Sequence, residues 1–121
     1  MNYETELTVD SEAFSGVTYT ISRMSFGRRL ELVKRVRALS QQLEFFRAGT
    51  ETQERVESVL LASEIDKLYL EWGLIRVNGI DLDGEPASKE KLIASGPEDL
   101  CREILAAIRR ECGLSEEQRK N

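Results

Sequence analysis

A long helix with one continuous apolar seam is the feature that most constrains the fold of this chain. Ser25 is a good N-cap and Gly49 follows the last periodic residue, so a helix of about 22 residues is predicted between them. The seam repeats at helical spacing: Leu32, Val36, Leu39, Leu43 and Phe46. A second apolar strip lies beside it in the N-terminal half: Phe26, Leu30 and Val33. We therefore expect this helix to be held on two sides.

A second long helix follows after a short connection. Thr50 or Thr52 can cap it, and it is predicted to end near Trp72-Gly73. One stripe on it contains Leu61, Ile65, Leu68 and Trp72, and other faces carry Val56, Val59, Leu60 and Leu70. A helix with apolar residues on several faces is usually covered by more than one partner. The short connection indicates an antiparallel helical hairpin over residues 25–72.

Two β-hairpins are predicted. Val17, Tyr19 and Ile21 alternate with polar residues, which is typical of a strand with one buried face, and they place a hairpin within residues 1–22. Asn78-Gly79 predicts a second hairpin over residues 74–83, closed by a two-residue type I′ turn. That turn would pair Val77 with Ile80 and Ile75 with Leu82, and Asp83-Gly84 with Pro86 would turn the chain again.

The C-terminal third is predicted to be helical. Ser88 caps a short helix that Gly96 ends, and Pro97 begins a further helix whose apolar residues share one arc: Leu100, Cys101, Ile104, Leu105, Ile108 and Cys112. Together these segments occupy residues 88–112. Ser115 and Gln118 match a capping box, so residues 115–121 form a tail or begin another helix. The predicted fold class is α+β, mainly α, in a single domain of residues 1–121.

Composition argues against catalysis. The chain has no histidine, which is the commonest general base and metal ligand, and only two cysteines. In one helix these cysteines would lie roughly 16 Å apart, too far for a disulfide, and two thiols are too few for a zinc site. No nucleophile elbow or phosphate-binding glycine loop is present. No catalytic, metal-binding or cofactor-binding residue is therefore predicted, and an enzyme is not expected.

The segment from Asp81 to Glu90 resembles a calcium-binding loop only in part. Asp81, Asp83, Gly84 and Glu90 fit the pattern, but Gly79 stands where an aspartate is required. A turn is therefore the preferred interpretation.

Residues 1–12 are acidic and do not resemble a secretory signal, and no apolar run approaches the roughly 20 residues needed to span a bilayer. The sequence predicts a cytosolic protein.

A basic run at residues 25–37 lies in a chain of net charge −5. On a helical wheel Arg28 and Arg35 share one side and Lys34 and Arg37 another, with Arg29 apart from both pairs. Such scatter favours a helix with charged margins, supported by Glu31 pairing with Arg35 and Lys34. An acidic partner, either another protein or the acidic N-terminal segment, is the alternative. Nucleic acid is disfavoured because the rest of the chain is negatively charged.

Candidate partner-binding residues follow from these patterns. The two basic pairs, Arg28 with Arg35 and Lys34 with Arg37, would face an acidic protein partner. Exposed apolar side chains are expected where the long helices end, at Phe45, Phe46 and Trp72. Amphipathic helices with several apolar faces can offer a groove to a helix of another protein.

Two parts of the chain resemble small tail assembly chaperones of long-tailed bacteriophages and prophages. The first is GVTYTISRMSFGRRLEL. The second is YLEWGLIRVNGIDLDGEPAS together with the C-terminal LIASGPEDLCREILAAIRRECGLSEEQRKN. The resemblance implies a non-enzymatic protein of the host cytoplasm that is absent from the mature virion. It implies binding to the long, helix-rich tape measure protein, which is kept soluble until tail tube subunits polymerise around it. Tail tube subunits and further copies of this chain are additional candidate partners.

Many such chaperones are made in two forms through a programmed ribosomal slip. The chain ends Arg119-Lys120-Asn121, and Lys-Asn is what the slippery bases A AAA AAC encode when the arginine codon ends in A. We hypothesise that a slip site underlies these residues, which an AAG codon for Lys120 would exclude. Two other functions stay open: a structural component of a phage tail or tail-like injection machine, and a small nucleic-acid-binding regulator.

Overall fold

A computed structural model of the chain describes residues 1–113. The predicted capping box at Ser115 and Gln118 and the hypothesised slip site lie outside the described residues. The elements, in chain order, are β1 (Glu6–Asp10), β2 (Thr18–Ser22), α1 (Phe26–Arg47), α2 (Thr52–Gly73), β3 (Leu74–Asn78), β4 (Asp81–Leu82), β5 (Glu85–Pro86), α3 (Lys89–Ser95) and α4 (Glu98–Glu111). Helices dominate over two small antiparallel sheets, so the α+β, mainly α, class is confirmed.

The helical hairpin forms as the seam predicts. Ser25 caps α1, its hydroxyl accepting a hydrogen bond of 3.1 Å from the Arg28 backbone N–H. Leu32 and Leu43 are buried, and the other seam residues, Val36, Leu39 and Phe46, pack partly buried against the core. The second strip is not covered: Phe26, Leu30 and Val33 are 86%, 49% and 52% exposed. The expectation that α1 is held on two sides is therefore wrong, because α2 packs on the seam and no described element covers the second strip.

The N-cap of α2 is Glu51, so the predicted caps Thr50 and Thr52 are wrong. Glu54, in the first turn, accepts a hydrogen bond of 3.4 Å from the Glu51 backbone N–H. A carboxylate can satisfy a free N–H at a helix start in this way, and it also interacts favourably with the helix dipole. The helix ends at Gly73, as predicted.

The second half of α2 is covered on several sides. Ile65 and Trp72 are buried, and Leu70 lines a groove with Ile93 of α3 and Leu105 of α4. At Gly73 the helices α2 and α4 approach closely, since an added Cβ would lie 2.7 Å from the Ile108 Cγ2. The first half is different, because its apolar residues outside the stripe are exposed: Val56 54%, Val59 65% and Leu60 52%.

The N-terminal hairpin is confirmed, with Leu7 opposite Ile21 and Val9 opposite Tyr19. Val17, Tyr19 and Ile21 are buried, as their alternation predicts. Thr20, on the other face of β2, is also only 2% exposed. Its Oγ1 lies 2.9 Å from the Thr8 Oγ1, so the two hydroxyls satisfy each other. Burial on both faces reflects the position of β2 at the centre of the three-stranded sheet.

The predicted hairpin over residues 74–83 is wrong. Strand β3 pairs antiparallel with β2, and Val77 lies opposite Tyr19 instead of Ile80. This arrangement lets β3 bury Leu74 and Val77 in the core that Tyr19 already occupies. Gly79 does adopt a left-handed conformation, with φ of +86°, but the chain there runs against Gly16.

The second hairpin lies later in the chain, where β4 pairs with β5. Asp83 and Gly84 both have positive φ, 54° and 84°, as a type I′ turn requires. The turn predicted at Asp83-Gly84 is therefore confirmed and is the one that closes a hairpin.

The two C-terminal helices form as predicted. The Ser88 hydroxyl caps α3 by accepting 3.1 Å from the Lys91 N–H, and Gly96 ends that helix. Helix α4 buries the predicted arc, with Leu100, Ile104 and Ile108 fully inaccessible and Cys112 2% exposed, while Cys101 is only partly buried.

Candidate protein-binding surface

Arg28 and Trp72 contact each other within the chain and do not form a docking surface. The Arg28 guanidinium carbon lies 4.4 Å from the centroid of the Trp72 ring. Its Nε donates to the Ser22 hydroxyl at 3.2 Å, and its Nη2 donates to the Trp72 carbonyl oxygen. Trp72 is 4% exposed, so the expectation of an exposed Trp72 is wrong. The antiparallel hairpin also places Trp72 and Phe45 at opposite ends, because one is near the end of α2 and the other near the end of α1.

Glu31 forms ion pairs with both members of one basic pair, Arg28 and Arg35. Its carboxylate oxygens lie 2.9 Å from Arg28 Nη1 and 2.9 Å from Arg35 Nη2. The predicted pairing of Glu31 with Arg35 is thus confirmed. The predicted pairing with Lys34, at i+3, is wrong, because the second partner of Glu31 is Arg28, at i−3. Arg28 and Arg35 therefore have an intramolecular acid at hand, which weakens their attraction for an external one.

The remaining basic residues of α1 lie on its exposed side. Lys34 and Arg37 are exposed, and neither has an ion-pair partner among residues 1–113. Arg29 donates from Nη2 to the Cys112 carbonyl oxygen at 3.3 Å and otherwise faces solvent. These three residues border the uncovered apolar strip. We call this set the α1 surface: Phe26, Arg29, Leu30, Val33, Lys34 and Arg37.

A second exposed apolar region lies where the hairpin turns. Phe45 is 70% exposed, as expected, and its ring meets the partly buried Phe46 edge to face, with centroids 5.4 Å apart. Phe45 and Phe46 share a shallow groove with Glu57 of α2. We call the adjoining part of α2 the α2 surface: Val56, Glu57, Val59, Leu60 and Glu64. Phe45 borders it through Glu57.

The sequence does carry a signal for the α2 surface, but the same apolar pattern predicts contacts with other elements of the chain. Val56, Val59 and Leu60 continue the face of α2 that α3 and α4 cover near Leu70. Helix α4 does not extend far enough to cover them. Which half of an apolar face is covered depends on the position of another element, and periodicity does not report it.

The pKa values of Glu103 and Tyr19 are shifted by burial and by hydrogen bonds that hold the fold together. Glu103 on α4 accepts hydrogen bonds from the Ala13 N–H at 2.9 Å and the Ser11 hydroxyl at 3.0 Å. Burial acts to raise its pKa, but these bonds, with those from the Tyr19 hydroxyl and the Glu12 N–H, outweigh it and lower the pKa below 4.5. Burial and the bond to Glu103 raise the pKa of Tyr19 to about 12. This carboxylate anchors the β1–β2 loop to α4, a role that no sequence motif signalled.

The cysteines are poorly suited to nucleophilic chemistry. Burial raises the pKa of the Cys112 thiol to about 11. Burial, together with the Glu98 carboxylate, also raises the pKa of Cys101, whose Sγ lies 3.4 Å from the Leu92 carbonyl oxygen. Within residues 1–113 no cluster of three or more histidine, cysteine, aspartate or glutamate side chains is arranged to hold a metal ion. Asp83 belongs to the hairpin turn and lies 3.9 Å from Lys91 Nζ.

Comparison with known proteins adds no family assignment, since no family model, curated protein or solved structure matches the chain. Over the described residues, no helix has the length and apolar content needed to cross a membrane. The chemistry of the two exposed surfaces on the helical hairpin is therefore the best indication of function.

Proposed function

We propose that this protein is a non-enzymatic tail assembly chaperone of a long-tailed phage or prophage, which binds the tape measure protein and keeps it soluble during tail assembly. The observation that carries the proposal is the set of large apolar side chains left exposed at helical spacing on the hairpin. Val56, Val59, Leu60 and Phe45 are each more than half exposed. An exposed apolar strip of this kind, bordered by charge, is typical of a protein-binding surface.

The chemistry of these residues fits a helical client. Two apolar side chains one turn apart, such as Val56 and Leu60, match the i and i+4 positions through which an amphipathic helix docks. We assign the α2 surface with Phe45 as the client site, because the tape measure chain is helix-rich and apolar. The net charge of −5 also helps to keep a complex with such a client in solution.

The resemblance of residues 16–32 and 69–121 to tail assembly chaperones supplies the biological setting of the proposal. In that setting the protein acts in the bacterial host cytoplasm, meets tail tube subunits as they polymerise, and is left out of the mature virion. The lack of histidine and the raised pKa of both thiols agree with a binding role.

Co-expression tests the proposal directly. The tape measure protein of the phage or prophage that encodes this chain would be produced alone, with the wild-type chain, and with a V56S/V59S/L60S variant. We expect the wild type to move the tape measure protein into the soluble fraction and the variant to lose most of this effect. A matched variant, F26S/L30S/V33S, removes three apolar side chains from the α1 surface and should retain it. A tape measure protein that stays equally insoluble with and without the wild-type chain would rule out this function.

The two alternatives make different predictions in the same system. A structural tail component would persist in purified particles, so mass spectrometry of virions should find it at stoichiometric amounts. A nucleic-acid-binding regulator would bind DNA with an affinity that falls steeply as salt rises. The α1 surface mixes its cations with three large apolar side chains, which is not the pattern of a phosphate-binding face.

A further inference from the structure

The helical hairpin carries two exposed apolar triads of opposite electrostatic character. On α1 the triad is Phe26, Leu30 and Val33, and on α2 it is Val56, Val59 and Leu60. Each triad lies in the first half of its helix. Both remain uncovered by any described element, so each leaves three large side chains in water.

The charges around the triads are complementary. Residues 26–37 contain five basic residues and one acid, whereas residues 51–64 contain four acids and one basic residue. On α1 the acid, Glu31, is engaged with Arg28 and Arg35. The free cations Lys34 and Arg37 are therefore the ones beside the α1 triad. On α2, Glu57 and Glu64 lie one turn on either side of Leu60, and neither has an ion-pair partner within residues 1–113.

The two surfaces cannot meet within one molecule. Because the helices are antiparallel, the first half of α1 lies beside the second half of α2. The centres of the two triads are then separated by roughly 17 Å along the hairpin, from a rise of about 1.5 Å per residue. Both triads also point away from the seam that joins the helices.

We propose that the α1 surface of one molecule docks on the α2 surface of a second copy. The contact covers both triads and places Lys34 and Arg37 opposite Glu57 and Glu64. It uses the α2 surface that the proposed function gives to the client helix, so a second copy occupies this surface in the free protein and the client displaces it. Since the two surfaces differ, two molecules can close as a pair with two such contacts, or copies can add in a row. Complementary charge favours this pairing over the like-charged pairings α1 on α1 and α2 on α2.

Reciprocal charge reversal tests the contact. In K34E/R37E both surfaces of the molecule are acidic, and in E57K/E64K both are basic. All four positions are at the surface of the hairpin, and circular dichroism would verify that each variant folds. We expect the wild-type mass, measured by light scattering after size exclusion, to rise with concentration. Each variant alone should associate at least about tenfold more weakly.

The decisive sample is an equimolar mixture of the two variants. The acidic α1 surface of K34E/R37E then meets the basic α2 surface of E57K/E64K, and the two unaltered surfaces also match, so association should return. The matched control D81K/E85K changes net charge as E57K/E64K does, at exposed positions on the β4–β5 hairpin, and should associate like the wild type.

Three results would each overturn the proposal: a wild type that stays monomeric at every concentration, variants that associate as strongly as the wild type, or a mixture that fails to associate. Because the isolated chain is used, these results do not depend on the tape measure protein. If the chain self-associates but does not solubilise the client, the self-association proposed here stands and the proposed chaperone function is wrong.

Discussion

The Arg28 guanidinium stacks on the Trp72 indole at 4.4 Å and joins the start of α1 to the end of α2. The same side chain donates to the Ser22 hydroxyl, so it also ties the hairpin to the central strand of the sheet. One residue of the basic run thereby connects three elements. Its role is structural, which accounts for a basic residue beside an almost fully buried tryptophan.

We predict that Arg28→Ala destabilises the protein by about 1–3 kcal/mol, because it removes a stacked cation and several hydrogen bonds. Arg35→Ala, a matched loss of one exposed basic residue from the same helix, should cost less than about 0.5 kcal/mol. Urea unfolding followed by tryptophan fluorescence measures both, since the chain has a single tryptophan. Equal losses of unfolding free energy for the two variants would contradict the structural role of Arg28.

Glu103 should make stability depend on pH. Its pKa is lower in the folded chain than the ordinary value of 4.5. The carboxylate therefore stabilises the fold above about pH 4.5, and this contribution is lost as the pH falls through the folded pKa. Glu103→Gln should cost about 1–2 kcal/mol at pH 7, and the cost should shrink as the pH falls below 4.5 and through the folded pKa, since protonation removes the charged hydrogen-bond acceptor from the wild type. Urea unfolding over a series of pH values from 7 downward checks this, and a cost that does not fall with pH would refute it.

Gly79 and Gly84 provide a matched pair of left-handed glycines. Their φ values are +86° and +84°, but an added Cβ at Gly79 would lie 2.1 Å from the Gly16 carbonyl oxygen, whereas Gly84 has nothing within 4 Å. Gly84→Ala should cost about 1 kcal/mol for the backbone conformation alone. Gly79→Ala should cost about 2–4 kcal/mol, because the β1–β2 loop must also move. Thermal unfolding that ranks the two alanine variants in the opposite order would show that β3 and this loop are not in such close contact.

The two thiols should react slowly and at different rates. With its pKa raised from 9.0 to about 11, Cys112 is expected to react with a thiol reagent at pH 8 at least about a hundredfold more slowly than in the unfolded chain. Cys101 is less buried and should react first. Mass spectrometry of the labelled protein over time, with and without urea, measures both rates. Rapid labelling of native Cys112 would mean that the end of α4 opens readily.

The sequence by itself determined the elements whose signals are local. Ser25 and Ser88 cap the helices predicted for them, and the seam from Leu32 to Phe46 packs in the hairpin. The alternation at Val17, Tyr19 and Ile21 yields a buried strand. These signals work because a cap is a hydrogen bond within one turn, and a helical or strand period places apolar side chains on one face whatever covers that face.

Only the tertiary structure decided which partner each face takes. The hairpin expected at Asn78-Gly79 gave way to pairing of β3 with β2, because that pairing buries Val77 and Leu74 beside Tyr19. Tertiary packing likewise decides three other features. Trp72 is buried beneath Arg28, Glu103 binds the β1–β2 loop, and the α1 triad that begins at Phe26 stays exposed. Each depends on contacts between residues that are distant in sequence. Neither hydrophobic periodicity nor composition specifies which distant segment will pack on a given face.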